Sequence, residues 1–170
     1  MKKLVLIVML LYPILSYSQS EVSTQTDAGV PKYKHSIGAG AGGVTGLGLS
    51  YRRWFDNKAF QITFLPYLSK ENSTISLGLT YLKKLKEGRT SDLLFYTGYH
   101  FYYDKFMDTS ESISKKNISI NNNLGAGPGI EIKYGDNIVL DLMFGYAIYH
   151  NNEDGLSLNF TGETGIYYNF

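Results

Sequence analysis

From Tyr33 to Phe170 the chain alternates apolar and polar positions with period two, and turn residues cut this stretch into eight runs. They lie near 33–43, 46–55, 58–68, 73–84, 91–104, 117–134, 136–149 and 155–170. The seventh is the plainest: Ile138, Leu140, Leu142, Phe144, Tyr146 and Ile148 share one face, and Val139, Asp141, Met143, Gly145 and Ala147 the other. In the fourth, Ile75, Leu77, Leu79 and Tyr81 oppose Ser76, Gly78 and Thr80. In the sixth, Ile118, Ile120, Leu124, Ile130 and Ile132 oppose Asn121, Asn123, Gly125, Gly127, Gly129, Glu131 and Lys133. The pattern predicts eight antiparallel strands joined up and down. Each is long enough to cross a bilayer, which takes roughly 9–11 tilted residues.

Volume decides which face points inward. Eight strands enclose barely enough space for one layer of side chains, and the Ile, Leu, Phe and Tyr of the apolar faces would overfill it. The opposite faces, mostly Gly, Ser, Thr and Asn, carry too few charges for a water-facing surface. The large apolar residues are therefore expected outside, against lipid, around an interior in which glycines leave room for Tyr96, Tyr102 and Tyr167. The expected fold is all-β: an eight-stranded antiparallel up-and-down transmembrane β-barrel over residues 33–170.

The first residues set the direction of threading. Lys2 and Lys3 precede an apolar run from Leu4 to Leu15 and then Ser16-Tyr17-Ser18. This is the layout of a secretory signal peptide over 1–18, too short to cross about 30 Å of hydrocarbon as an anchor. Residues 19–32 lack periodicity and read as a disordered lead-in. An exported chain then enters the barrel from the periplasm. Turns near Asp56-Asn57, from Leu85 to Thr90 and at Gly135-Asp136-Asn137 fall on that side. Outside fall Gly43 to Thr45, Ser69 to Asn72, the long Asp104 to Lys116 stretch, and His150 to Asp154. Tyr33, Trp54, Tyr81, Tyr134, Tyr168 and Phe170 then collect at the periplasmic rim, and Phe101, Tyr103 and Tyr146 at the other, as two aromatic girdles. Trp54 breaks parity with Leu47, Leu49 and Tyr51, and His35 falls on the apolar face.

Composition narrows the chemistry. There is no cysteine, hence no disulfide, thiolate metal site or lipid-modified N-terminal Cys. Without Lys2 and Lys3, the 16 Lys and Arg fall to 14, against 15 Asp and Glu, so nothing favours nucleic acid. The three histidines show no zinc spacing. Gly38-Ala39-Gly40-Ala41-Gly42-Gly43 has the spacing of a dinucleotide-binding turn, but a strand follows it where a helix is required. No cofactor, metal or catalytic residue is expected.

Five charges, Arg52, Glu131, Lys133, Asp141 and Glu163, project into the periplasmic half of the lumen. Opposite signs in so narrow a space are expected to pair, because an isolated buried charge is costly. They are read as a salt-bridged plug, with an ion path or gate as the alternative. In the longest loop, Lys105, Lys115 and Lys116 are candidates for contact with lipopolysaccharide phosphates, and Asp108 and Glu111 for holding bridging cations.

The final run places Leu156, Leu158, Phe160, Gly162, Thr164, Ile166, Tyr168 and Phe170 on one face. A strand of this kind ending on an outward Phe resembles the C-terminal strand of bacterial outer-membrane β-barrels. That resemblance implies that Ile166, Tyr168 and Phe170 form the address read by the barrel-assembly machinery. With its signal peptide, strand number and girdles, the chain resembles the small OmpA/OmpX-like barrels. The resemblance implies the outer membrane of a Gram-negative-type envelope, a monomer, and contact with outer-membrane lipids including lipopolysaccharide. The barrel reaches the last residue, so no following peptidoglycan-binding domain is expected. His150 also falls where the lipid A deacylases carry a lipid-facing histidine, but Asn152 stands where their serine would be, leaving no nucleophile to activate. The expected role is a non-enzymatic structural or surface-interaction protein. A narrow solute conduit or lumen-binding protein is the alternative, followed by a lipid A-modifying enzyme.

Overall fold

The computed structural model describes residues 33–69, 72–108, 115–151 and 155–170. The signal peptide and lead-in expected over 1–32 lie outside the described residues. Eight strands follow in order: β1 (His35–Gly42), β2 (Gly48–Phe55), β3 (Lys58–Leu68), β4 (Ser73–Lys86), β5 (Ser91–Asp108), β6 (Lys115–Tyr134), β7 (Ile138–Asn151) and β8 (Gly155–Asn169). Each pairs antiparallel with its neighbour in sequence, and β1 pairs with β8 to close the barrel. At that seam the His35 and Phe170 backbones exchange hydrogen bonds of 3.1 and 2.9 Å. On the outer surface the His35 ring lies 5.8 Å from the Phe170 ring and 6.0 Å from the Tyr51 ring. That contact accounts for a histidine on the apolar face.

All eight expected runs are strands, and the face assignment holds. Leu49, Phe60, Leu142, Tyr146, Leu158 and Ile166 are exposed on the outside, while Ser50, Arg52, Gln61, Thr63, Asp141 and Glu163 are buried inside. A soluble fold would bury its large aliphatics; this one displays them as a continuous outer band, as lipid requires. The tight turns use residues that tolerate positive φ, Asp56 at 52° and Gly135 at 68°.

Three features differ from the sequence pattern. The β5–β6 hairpin continues to Asp108 and Lys115, so much of the expected 104–116 loop is sheet. Lys105 pairs with Ser73 and Ile118, and Lys115 and Lys116 stand opposite Asp108 and Met107. Trp54 is buried in the lumen and belongs to no girdle: the β2 register runs unbroken from Leu49 to Phe55, so parity with Ser50 and Arg52 carries it inward. Finally, the wall is uneven. β1 and β2 have 8 residues each and span about 26 Å along the strand, whereas the 18 and 20 residues of β5 and β6 span about 59 and 66 Å. Measured from the end that carries residues 33 and 170, the terminal end, the wall is lowest at the β1–β2 connection. The other end is the distal end.

Candidate functional site

The lumen is filled in layers. Nearest the terminal end, alternation on β2, β6 and β7 brings Arg52, Glu131 and Asp141 together, and each is buried. Arg52 donates from Nη1 to Glu131 Oε2 at 2.8 Å, from Nη2 to Asp141 Oδ2, and from Nε and Nη2 to Gln61 Oε1 at 3.0 and 2.8 Å. Its guanidinium lies 4.1 Å over the Tyr167 ring. The planar fork suits two carboxylates and one ring face at once. A second chain of ions continues to the rim. Lys84 Nζ reaches Asp92 Oδ2 at 2.9 Å and Glu131 Oε1 at 4.0 Å, and Lys133 Nζ reaches Asp92 Oδ1 at 2.6 Å. Trp54 packs between the cations, 4.5 Å from Lys84 and 5.7 Å from Arg52. Three cations thus face the three carboxylates of Asp92, Glu131 and Asp141, which is what a low-dielectric interior demands.

The next layer was not visible in the sequence. Residues 43–47, which join β1 to β2, turn into the lumen, and Val44 and Thr45 are fully buried. Glu163 receives this turn: its carboxylate accepts from Val44 N at 3.2 Å, Thr45 N at 3.0 Å, Thr45 Oγ1 at 2.7 Å and Thr161 Oγ1 at 2.6 Å. Two backbone amides and two hydroxyls thus satisfy a carboxylate that no cation reaches among the described residues. Glycines make the space. A Cβ on Gly98 or Gly125 would stand 3.0 or 2.8 Å from a Val44 methyl, and one on Gly78 would overlap the Thr45 carbonyl. Gly46, at φ +83°, completes the reversal against the Gly78 backbone. Val44 thereby joins an apolar cluster with Trp54, Ala59, Leu82, Leu94, Tyr96, Met143 and Ala147.

The far side of the turn is pinned as well. Leu47 N donates to Ser76 Oγ at 2.9 Å, and Asn123 Nδ2 donates to Gly43 O at 2.8 Å. His100 bridges the two, with Nε2 2.9 Å from Ser76 Oγ and Nδ1 3.2 Å from Gly43 O. One proton assignment satisfies every atom: Nδ1–H to Gly43, and the Ser76 hydroxyl to Nε2. Ser76 and His100 have the spacing of a nucleophile and its base, but Ser76 is fully buried and both groups hold the turn.

Above the turn the lumen opens distally as a cup of about 470 Å³, walled by His100, Tyr102, Asn121, Asn123, Tyr149 and Ser157 among others. Below it lie the seated turn and the Arg52–Glu131–Asp141 cluster. Outside the wall, Tyr51, Phe60, Leu79, Tyr99 and Leu124 border an apolar groove of about 620 Å³ facing where lipid would lie.

Of the five charges singled out in the sequence, Arg52, Glu131 and Asp141 form one cluster. Lys133 joins it only through Asp92, at the partly exposed rim. Glu163 stands apart and, among the described residues, makes no ion pair; it lies level with Gly42, at the inner end of the short β1 strand. Lys84 and Asp92 were missed, although parity with Leu82 and Leu94 places both inside. Ile166 and Tyr168 lie on the outer face with Phe170 at the terminal end. Lys105 lies on β5; the side chains of Asp108, Lys115 and Lys116 are outside the described set, as are Glu111 and Asn152. His150 is exposed on the outer face. Among the described residues no three His, Asp or Glu side chains gather as a metal site.

No protein-family model matches the chain, and no curated protein matches its sequence. Solved structures do match its fold. The N-terminal β-barrel domain of Pseudomonas aeruginosa OprF superposes with a TM-score of 0.53 at 13% identity, covering 81% of this chain and 98% of that one. Neisserial surface protein A (NspA) superposes at 0.54 with 11% identity, covering 81% and 95%. The chain has the eight-stranded fold of the small outer-membrane barrels, OmpA/OmpX-like in architecture.

Proposed function

We propose that this protein is an integral, monomeric barrel of a Gram-negative-type outer membrane, with a structural or surface-presenting role and a closed lumen. One observation carries the reading: two separate layers cross the interior, the Arg52–Glu131–Asp141 cluster and the turn seated on Glu163. Either alone obstructs a lumen that eight strands make only about one side-chain layer wide. The exposed aliphatic band supports a lipid surround, and the fold of OprF's barrel domain and NspA supports the outer membrane.

In this reading residues 1–18 direct export and are removed, 19–32 lead into the barrel, and the terminal end faces the periplasm. Ile166, Tyr168 and Phe170 are read by the assembly machinery. The distal rim faces outward among lipopolysaccharide, whose phosphates meet Lys105, Lys115 and Lys116. The reading includes no enzymatic activity: the one serine–histidine pair described is committed to holding the turn.

Planar-bilayer recording tests the closed lumen. The native protein is expected to insert without conductance, and Arg52→Ala to stay silent because the turn still blocks the path. A stable, ohmic current from the native protein would replace this reading with the conduit.

A further inference from the structure

We infer that the outer wall of β2 to β5 holds an anionic phospholipid of the periplasmic leaflet. Its phosphate sits on a basic patch at the terminal rim, and one acyl chain lies in the adjoining groove. The inference rests on the reading that the aliphatic band meets lipid with the terminal end toward the periplasm.

Strand register assembles the patch. Lys58 and Lys83 are direct partners across β3 and β4, and Phe55 and Phe95 flank them on β2 and β5. One row further from the rim, Arg53 stands opposite Phe60, and Phe60 opposite Tyr81. Parity turns the three cations outward, because Arg52, Trp54, Ala59 and Leu82 are buried in the lumen. All three are exposed. Such rows lie about 7 Å apart along a strand and neighbouring strands about 4.8 Å apart, so three long side chains reach one common point. Like charges placed directly opposite destabilise a sheet. The adjoining turn supplies one acid, Asp56, which leaves the three cations in excess. An anion held between them removes the repulsion.

The groove fixes what carries that anion. Arg53 borders it, with the guanidinium 4.9 Å over the Phe55 ring. From there the groove continues among Phe60, Ile62, Leu79, Tyr81 and Tyr99, and Thr97 is its smallest outward side chain. Leu79 lies four residues beyond Lys83 on β4, about 13 Å further from the rim along the strand. A free phosphate would use the cations and leave the groove empty. A zwitterionic lipid would fill the groove and bring no net charge to the cations. A lipid with a net negative headgroup satisfies both, as basic residues beside a membrane surface do generally. The depth fits as well, since cations on a lipid-facing wall cost little near an interface.

The chain has no cysteine, so introduced thiols can report each wall separately. Leu79→Cys reports the groove, and Leu142→Cys reports the β7 wall as a reference. Each is labelled with a small fluorophore and folded into vesicles of equal phosphatidylglycerol and phosphatidylcholine, with bromine on one lipid or the other. At 79 phosphatidylglycerol is expected to be preferred about fivefold, the weight of one basic residue at a membrane surface. At 142 no preference is expected. Combining Arg53→Gln, Lys58→Gln and Lys83→Gln should abolish the preference at 79. The inference is overturned if both lipids quench equally at 79, if 142 shows the same preference, or if the triple variant keeps it. Relief of phosphatidylcholine quenching by lipopolysaccharide but not by phosphatidylglycerol would overturn it too, making the glycolipid the occupant. Equal quenching leaves the lipid-facing wall standing, whereas no quenching by either lipid at 79 and 142 removes that wall and the inference together.

Discussion

Glu163 accepts two hydrogen bonds from Thr45, from the amide at 3.0 Å and from the hydroxyl at 2.7 Å, across 118 residues of sequence. An acid on the last strand thus fastens the first turn inside the barrel. Val44 N and Thr161 Oγ1 complete its shell, so the buried carboxylate is stabilised by dipoles in place of a cation.

Removing that anchor orphans buried donors. Glu163→Ala is expected to cost about 3 kcal/mol in urea unfolding of the vesicle-embedded barrel, from the loss of hydrogen bonds to a charged group. A variant within about 0.5 kcal/mol of the native protein, the range of an ordinary surface change, would mean that the turn does not depend on Glu163.

The turn's seat is testable separately, because the chain has no native cysteine. Val44→Cys, buried against Gly98 and Gly125, is expected to resist a water-soluble maleimide. Adding Gly78→Val, whose side chain would claim the place of the Thr45 carbonyl, should expel the turn and make the introduced thiol reactive. Equal labelling in both backgrounds would contradict the seating.

Arg52 holds the other layer. Arg52→Ala strands Glu131 and Asp141 and should cost about 3–5 kcal/mol in the same unfolding assay. Arg52→Lys keeps the charge but loses the fork and the stacking on Tyr167, and should recover only part of that loss. Full recovery by Lys would show that charge alone matters there.

How far the sequence could be read divides along local and non-local lines. Strand identity and facing are local: Leu140, Leu142 and Phe144 alternate with Asp141 and Met143, and period two leaves one arrangement. Trp54 was legible by the same rule, and expecting it in a girdle set residue type above parity. Lys84 was legible by the same parity, two residues beyond Leu82 at the end of the fourth run. The inward turn was not legible. Gly43-Val44-Thr45 looks like any connection between strands; only its contacts with Gly78, Gly98, Gly125 and Glu163, all distant in sequence, draw it inside. Glu163 was misread for the same reason, since a lone inward acid suggests a cation and nothing nearby in the chain announces an amide cradle.

Position along the outer wall should set the cost of a charge. Leu142→Arg, in the apolar band, is expected to destabilise by about 2–4 kcal/mol, and Tyr134→Arg at the terminal rim by about 0–1 kcal/mol. Equal costs, read from unfolding in phospholipid vesicles, would argue against a membrane spanning that band.

The seam carries a prediction for assembly. Deleting Phe170 removes its backbone bonds with His35 and its ring contact on the outer surface. The expected result is less heat-modifiable, folded protein in the outer-membrane fraction. Native yield without Phe170 would remove the assembly role given to the strand's end.

Neighbouring residues of β7 show most directly which surface of the barrel meets lipid. Leu142 and Met143 are adjacent, yet Leu142 is exposed on the outside and Met143 is buried in the lumen. Single cysteines at each position, labelled with a small fluorophore and folded into vesicles containing brominated phospholipid, separate the two faces. Strong quenching is expected at 142 and little at 143. Strong quenching at 143 with none at 142, or none at either, would contradict a barrel that wears its aliphatic residues against lipid.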